Sequence, residues 1–588
     1  MPSRLAVIHR LFVVGLAGLV LRLAQLQLID GASYRQQAEQ NRLRVIPEQA
    51  PRGMLLDRED RQLATNQTVF RVAAIPQDLP KQSGASKRTM VGSRREVFER
   101  LSRLVHVPPD ELESRFEAHV TVPFLPAELV DPIPKPLALR IEEERFALPG
   151  VVVESVVSRR YPLGPVAAHV VGYLSQPSSQ LFPLLKEYGV KPQDLVGRSG
   201  LEGELDPYLR GRPGGALIEV NHRARQVRVL GSRTHASGQT VRLTIDAQLQ
   251  ALIESQFHGR PGACVVLQPT TGEVLAMVSV PGFNPQAFAD QDTKAVQAYL
   301  QDQRSPLMNR ATRGVYLPGS IIKPITGAIA LEQGVITRHT TFVCPGYIQF
   351  GDRRIHCWKR DGHGPVSIRE ALMGSCNVFF MEVGRRMGLE RLRAGFLSVG
   401  LDRRTGWLLG EAAGHLPSRR LSEGEVAMLA MGQGEVLLTP LQAAVMISAI
   451  ANRGWLVEPW IVKQVGEHRM ERTHAVPLGW SPDTLDAIWE GMDAVVNDPH
   501  GTGIHAHSPL VRIVGKTGTA QTHVPGKTHG WFVGFCPYDK PQAAFAILSE
   551  YGGSGGDLPA TIGRNLCEYL AIAGRQAVET AAVPADSP

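Results

Sequence analysis

The sequence predicts a membrane-anchored, multidomain protein in which a mixed α+β pedestal precedes a domain built on a five-stranded antiparallel sheet flanked by helices. Three observations predict it. Leu11–Ile29 is a near-continuous apolar window of 19 residues, long enough to cross a bilayer. From Gly31 to about Gln239, short strand-like and helical runs alternate between Arg, Pro and Gly punctuation. Beyond that, two strands, a long helical insert and three more strands imply one antiparallel sheet with helices packed around it.

A chain of 588 residues exceeds one ordinary domain. Its 43% hydrophobic and 20% charged content supports a large core and excludes a mainly disordered chain, a collagen and a small disulfide scaffold. Only one window is long and apolar enough to span, which excludes a multi-span membrane protein. The net charge is +7 and the pI about 9.1. With no basic run, zinc-finger spacing or RNA-binding aromatic motif, that balance reads as a solvated basic surface with no nucleic-acid partner.

Only Arg22, Gln25 and Gln27 interrupt the apolar window, and Arg22 can snorkel to the headgroups. The following LAQLQLIDG keeps Leu and Gln where a cleavage site needs small residues, so an uncleaved signal anchor is expected. Arg4 and Arg10 precede the segment, but Arg35, Arg42 and Arg44 follow it, so the positive charges do not set its orientation. The short leading tail and long remainder favour export of the remainder. The expected organisation is a cytoplasmic tail and single anchor (1–30), a non-catalytic pedestal (31–239), a catalytic domain (240–574) and a disordered tail (575–588).

Within the pedestal, RVAAI and GVVVESVV read as strands. REVFERLSRLV reads as a helix with Val97, Leu101, Leu104 and Val105 on one face. The turn-rich stretch 231–239 reads as a linker. TVRLTID then leads into a helix capped by Asp246, with Leu249, Leu252, Ile253 and Phe257 on its apolar face. ACVVLQ (263–268) and EVLAMVSV (273–280) flank the turn 269–272 as a hairpin. The later strands are VRIVGKTGT (511–519), GWFVGF (530–535) and AAFAILSEY (543–551). LQAAVMISAIA (441–451) is too short to span and reads as a core helix.

Three motifs carry chemistry. In Pro318-Gly319-Ser320-Ile321-Ile322-Lys323, the serine opens an apolar helix and the lysine lies one turn on, on the same face. A lysine held dry beside other cations can lose its proton and act as a base. Ser375-Cys376-Asn377 begins the apolar run VFFMEV. Lys516, Thr517, Gly518 and Thr519 end the strand VRIVG, where a cation and two hydroxyls suit a carboxylate-bearing substrate. Alone, these read as a helix cap with a surface lysine, a capping box and a turn. Their joint occurrence, in this order, points to a nucleophilic serine enzyme.

Cys344, Cys357, His363 and Cys376 offer three thiolates and one imidazole, a tetrahedral zinc set, with His356 a rival for the imidazole. A disulfide, 344–357 or 357–376, and inert buried thiols are the alternatives. Cys264, Cys536 and Cys567 lie in strand or helix runs and read as core.

The ordered set S-x-x-K, S-x-N, K-T-G is the signature of penicillin-binding proteins and serine β-lactamases. NRATRGVYLPGSIIKP, GQGEVLLTPLQ and KTGTAQ resemble a class B penicillin-binding protein. Upstream, RGMLLDREDRQLATN, RYPLGPVAAHVVGYL and GRSGLEGELDPYLRG resemble its dimerisation-type pedestal. The wording around Ser320 and CPGYIQF (344–350) is most similar to the elongation type, penicillin-binding protein 2. Glu59-Asp60 stands where that pedestal usually carries a glycine turn, which weakens the expectation of a hairpin there.

The resemblance implies a penicillin-binding/serine β-lactamase-like transpeptidase domain that cross-links peptidoglycan stem peptides and is acylated by β-lactams. Ser320 would attack the penultimate D-Ala carbonyl and Lys323 take its proton. Ser375 would relay a proton to the leaving D-Ala, and Asn377 would hold the substrate backbone. Lys516, Thr517 and Thr519 would hold the terminal carboxylate, beside an oxyanion hole of the Ser320 and Thr519 N–H groups. No glycosyltransferase module stands before residue 240. The resemblance therefore implies a RodA-type SEDS glycosyltransferase and an MreC-like scaffold as partners, at the bacterial inner membrane with the bulk in the periplasm. A septal-type transpeptidase, a β-lactam hydrolase and a non-catalytic penicillin sensor are the alternatives.

Overall fold

The computed structural model describes residues 4–31, 43–48, 50–80, 93–186, 190, 192, 194–221, 226–470 and 474–582. Arg35, Arg42 and the end of the expected tail lie outside these residues. The N-terminal window forms a helix, Arg4–Ala24, extended by a wider turn, Gln25–Ile29. Leu11–Ile29 has a mean hydropathy of 1.9 and none of it is buried. Arg22 Nη1 donates to Gln25 Oε1 at 2.6 Å, so two of the three polar interruptions pair with each other.

The described residues gather into two compact units. One draws on residues within 1–52, 66–159 and 210–238, the other on 53–65, 160–209 and 239–588. This division differs from a single cut at 239, because two short pedestal segments pack with the larger unit.

In the smaller unit, the part of strand Gln62–Ala74 from Asn66 onward pairs with Ala127–Ile133, and strand Val151–Arg160 also pairs with that strand. Ser93 caps helix Arg94–Val105 by accepting from Glu96 N. Val97, Phe98, Leu101 and Leu104 are its buried stripe, with Val105 at the edge. A second, three-stranded sheet orders Leu43–Glu48, Gly214–Val220 and Gln226–Arg233. The expected linker thus begins inside a strand: Gly231, Ser232 and Arg233 pair with Leu217, Ala216 and Gly215. Ladder bonds use the backbone, so a turn-like composition can still be zipped into a sheet.

The larger unit is built on strands β1 (Gly262–Leu267), β2 (Val274–Val280), β3 (Val514–Gln521), β4 (Thr528–Cys536) and β5 (Ala543–Ser549). Their order is β2-β1-β5-β4-β3, antiparallel throughout, with β3 at the edge. Alternate residues serve opposite cores. Val265, Leu267, Met277, Val533 and Leu548 face one, while Cys264, Val266, Val278, Phe532 and Ile547 face the other. The second core receives helix α1 (Ala247–Gln256) through Leu249 and Ile253, with Asp246 capping Gln248 N and Leu249 N.

The insert between β2 and β3 carries α2 (Lys323–Glu332), α3 (Ile368–Met373), α4 (Asn377–Met387), α5 (Pro440–Ala451) and α6 (Pro482–Asn497). Every residue of α5 is buried, as a core helix requires. The last helix, α7 (Leu558–Ala582), packs Ile562, Leu566 and Cys567 into the second core, where Cys264 and Cys536 also lie. It runs eight residues past the expected end of the domain at 574, because the sequence QAVETAA contains no helix breaker.

The hairpin at residues 55–64 forms without the usual glycine. Asp60 takes φ 61°, which Asp tolerates better than most residues. The buried Asp57 carboxylate fixes the turn by accepting from Glu59 N, Arg61 N and Ala247 N at 2.8, 2.8 and 3.1 Å.

Candidate active site

Ser320 lies on a tight turn, Gly319–Ile322, that runs directly into α2. The turn is 3₁₀, with three residues per revolution, and Lys323 N donates to Ser320 O, which sets Lys323 one turn on from Ser320. Gly319, at φ 55°, lets the turn press against edge strand β3; a Cβ there would sit 2.9 Å from Thr519 O. Gly518 serves the same approach from the strand side, where a Cβ would meet Ile321 Cγ2 at 2.8 Å. Gly319 N donates to Gly432 O (2.8 Å) and Trp531 Nε1 to Leu317 O (3.0 Å). Tyr316, four residues before the serine, donates to Glu550 (2.6 Å), which also faces Arg310 at 3.0 Å.

The S-x-N segment joins α3 to α4. Ser375 sits at φ 53° and Asn377 opens α4. Lys323, wholly buried, donates through Nζ to Ser375 O at 2.9 Å and Asn377 Oδ1 at 2.7 Å, with Ser375 Oγ at 3.4 Å. Lys516, equally buried, donates to Ser375 Oγ and Thr517 O, both at 2.9 Å. Ser375 therefore stands between two lysines. Burial pushes Lys323 down to about 8, against a partial pull upward from Cys376 and Cys357. Lys516 is driven well below the ordinary lysine range by burial, then by the charge of Lys323. Thr517 is buried beside them and Thr519 is exposed on the strand.

These contacts bring together five of the residues expected from the motifs, Lys323, Ser375, Asn377, Lys516 and Thr517, while Gly518 packs against the Ser320 turn and Thr519 is exposed further along the strand. They add one feature that sequence did not suggest: the Asn377 side-chain oxygen accepts from Lys323. They also add Thr502, whose Oγ1 lies 2.7 Å from Thr517 Oγ1. Its only sequence signal is its place between two glycines, Gly501 and Gly503.

The metal-type set also converges. One ligand atom from each of Cys344, Cys357, His363 and Cys376 falls within 4.8 Å of all the others. His363 Nε2 faces Gly374 O (3.1 Å), so it carries the proton and turns the Nδ1 lone pair toward the sulfurs. Nδ1 lies 3.6 Å from Cys344 Sγ and 3.5 Å from Cys357 Sγ. His356 stands apart, exposed in a strand and tilted against Tyr347. Cys357 is pushed down by the hydrogen bond from the Cys376 thiol, and also by His363 and the Asn377 N–H. Cys376 is raised by that same bond and by burial. All six cysteines are free thiols.

Two family models match. That of the penicillin binding protein transpeptidase domain covers residues 262–568, and that of the penicillin-binding protein dimerisation domain covers 47–243. The peptidoglycan D,D-transpeptidase MrdA of Escherichia coli K12 is 30% identical over 598 aligned positions, spanning 94% of this chain and 92% of its own. Penicillin-binding protein PBP2 of Helicobacter pylori, solved in complex with MreC, matches with a TM-score of 0.75 at 26% identity, over 92% of this chain and all of the other. A chain solved in a peptidoglycan synthase complex that coordinates polymerization and crosslinking matches with a TM-score of 0.72 at 29% identity, over 98% and 99%.

Proposed function

Because this chain belongs to the class B penicillin-binding proteins, as an elongation-type peptidoglycan D,D-transpeptidase, we propose that it cross-links stem peptides through an acyl-enzyme on Ser320. The observation that supports this most is the convergence of two buried lysines on Ser375 beside the Ser320 turn. Lys323, partly neutral near pH 8, takes the Ser320 proton as Oγ bonds to the penultimate D-Ala carbonyl carbon. The peptide C–N bond then breaks. The terminal D-Ala leaves as an amine, protonated through Ser375 by the proton that Lys323 took up. An amine of a neighbouring stem then bonds to the acyl carbon and gives its proton to the again neutral Lys323, which returns it to Ser320 Oγ as the ester C–O bond breaks, forming the cross-link. The N–H groups of Ser320 and Thr519 stabilise the oxyanion.

The carboxylate of the donor stem binds Lys516, Thr517 and Thr519 along β3. Its arrival stabilises the Lys516 ammonium, and that cation pushes Lys323 further toward the neutral base. Asn377 orients Lys323 with its oxygen and offers its NH₂ group to the substrate backbone. Gly518 leaves room for the Ser320 turn.

The four-residue set at 344–376 fits zinc. Zn–S bonds of about 2.3 Å and Zn–N bonds of about 2.0–2.1 Å at a tetrahedral angle place S and N about 3.6 Å apart, which matches the 3.5 and 3.6 Å separations. A structural ion held by Cys344, Cys357, His363 and Cys376 would tie the 344–363 loop to the S-x-N turn.

The helix ending at Ile29 serves as a single-pass anchor in the bacterial inner membrane, with the bulk in the periplasm. Partners are a RodA-type SEDS glycosyltransferase and an MreC-like scaffold, in keeping with relatives solved with MreC and in a synthase complex. Covalent labelling by fluorescent penicillin tests the reading. A label stable for hours and lost in Ser320→Ala is expected. A label that decays within seconds would indicate a β-lactam hydrolase, and a label retained by Ser320→Ala would overturn the nucleophile.

A further inference from the structure

The loop between α6 and β3 brings a second hydroxyl to the strand that carries Thr517. Thr502 Oγ1 lies 2.7 Å from Thr517 Oγ1, close enough that one hydroxyl must donate to the other. The approach is built into the backbone. Gly503 N donates to Val495 O at 2.9 Å. A Cβ at Gly501 would collide with that same carbonyl, and one at Gly503 would lie 3.4 Å from Thr517 Cγ2. From the other side, a Cβ on Gly556 would sit 2.7 Å from Thr502 O. Thr502 N in turn reaches Met373 O at 3.4 Å, two residues before Ser375. Thr502 is held between the strand of Thr517 and the turn of Ser375, yet it belongs to none of the three motifs.

A hydroxyl has one proton to give. If Thr517 spends it on Thr502, it meets an incoming carboxylate with lone pairs. If Thr502 donates instead, the Thr517 proton is free for the carboxylate, and each bond in the chain polarises the next. We propose that Thr502 is a positioning residue for recognition of the substrate's terminal carboxylate: it donates to Thr517 Oγ1 and thereby aims the Thr517 proton at that group. The inference rests on β3 being the carboxylate-binding strand of a Ser320 acyl-transferase.

The test compares acylation of the full-length protein by a penicillin and by its methyl ester, which lacks the negative charge. Variants are Thr502→Val, Thr502→Ser, Thr517→Val and Ser320→Ala, with binding and acylation constants separated by progress curves. Thr502→Val is expected to weaken binding of the free acid about tenfold, with little change in the acylation constant. Thr502→Ser should behave as wild type. With the ester, Thr502→Val should equal wild type, and adding it to Thr517→Val should cost nothing further. Equal losses on acid and ester, failure of Thr502→Ser to rescue, or unchanged acid binding in Thr502→Val would overturn the role of Thr502 while leaving Ser320 as nucleophile. Labelling that survives Ser320→Ala would instead remove the reading on which the proposal stands.

Discussion

Replacing Lys323 by arginine separates its charge from its basicity. The guanidinium can still donate toward Ser375 O and Asn377 Oδ1, the partners Lys323 holds at 2.9 and 2.7 Å, but it does not deprotonate. The buried lysine titrates near 8. At pH 7 about 9% of it is neutral, against about 0.03% of an ordinary lysine, a roughly 300-fold gain in competent base. The sign follows directly: the ammonium form cannot accept the Ser320 proton, so activity falls as pH drops below about 8. The second-order rate of acylation by a fluorescent penicillin, corrected for spontaneous hydrolysis, is therefore expected to rise about tenfold from pH 7 to pH 9 in the wild type. Lys323→Arg should give a flat profile lowered by about 10²–10⁴, with a thermal melt confirming that it folds. A flat wild-type profile across this range would refute the assignment of Lys323 as base. So would a Lys323→Arg rate within about tenfold of wild type.

Asn377→Ala removes an acceptor of the buried Lys323, and a hydrogen bond to a charged group contributes about 1.5–3 kcal/mol; a 10- to 100-fold slower acylation is the expected result by the same labelling assay. Protein purified without chelator should hold about one zinc per chain by elemental analysis. Cys357→Ser should lose the metal and melt at lower temperature, whereas metal-free protein with a mapped 344–357 or 357–376 disulfide would refute the site. Gln442→Ala should destabilise the larger unit by about 3–5 kcal/mol in denaturant titration. It would strand the Arg403 and Ala413 carbonyls and the Thr439 N–H, all now bonded to the buried glutamine within 2.9 Å.

The sheet was legible in the sequence because β1, β2 and β5 are apolar but for Ser279 and Ser549 and end at clear turns. The lysines were legible because their spacing from a serine or a glycine is part of a local pattern. The pairing of Lys323 with Asn377 is not local: 54 residues separate them. Only the packing of α2 on α4 sets that distance. Thr502 was hidden for the same reason, since a Gly-Thr-Gly loop reads as a turn until strand β3 is laid beside it. The sequence names His363 for the imidazole with His356 as a rival, and three dimensions separate the two, because only His363 brings a ring nitrogen to the sulfurs.

Ser375 shows why these parts act together. Its φ of 53° is left-handed, a conformation that costs a non-glycine residue about 1–3 kcal/mol. That strain persists only where the surroundings over-determine it. The Ser375 N–H is held by Leu372 O (3.2 Å) and the Cys376 N–H by Ala371 O (2.9 Å). The carbonyl just before it, on Gly374, accepts from Trp358 Nε1 (3.0 Å) and from His363 Nε2. The Ser375 carbonyl and hydroxyl are then each taken by a lysine. The charge-assisted bond from the Lys323 ammonium to the Ser375 carbonyl, about 1.5–3 kcal/mol, is of the size of the strain it opposes, and the Lys516 bond to the hydroxyl adds to it. The lysines that set the protonation state of the site are thus also what keeps the relay serine aimed into it. His363 and Cys376, at the two ends of that turn, extend the same constraint to the cysteine cluster. Proton transfer and geometry are here two consequences of one packing arrangement.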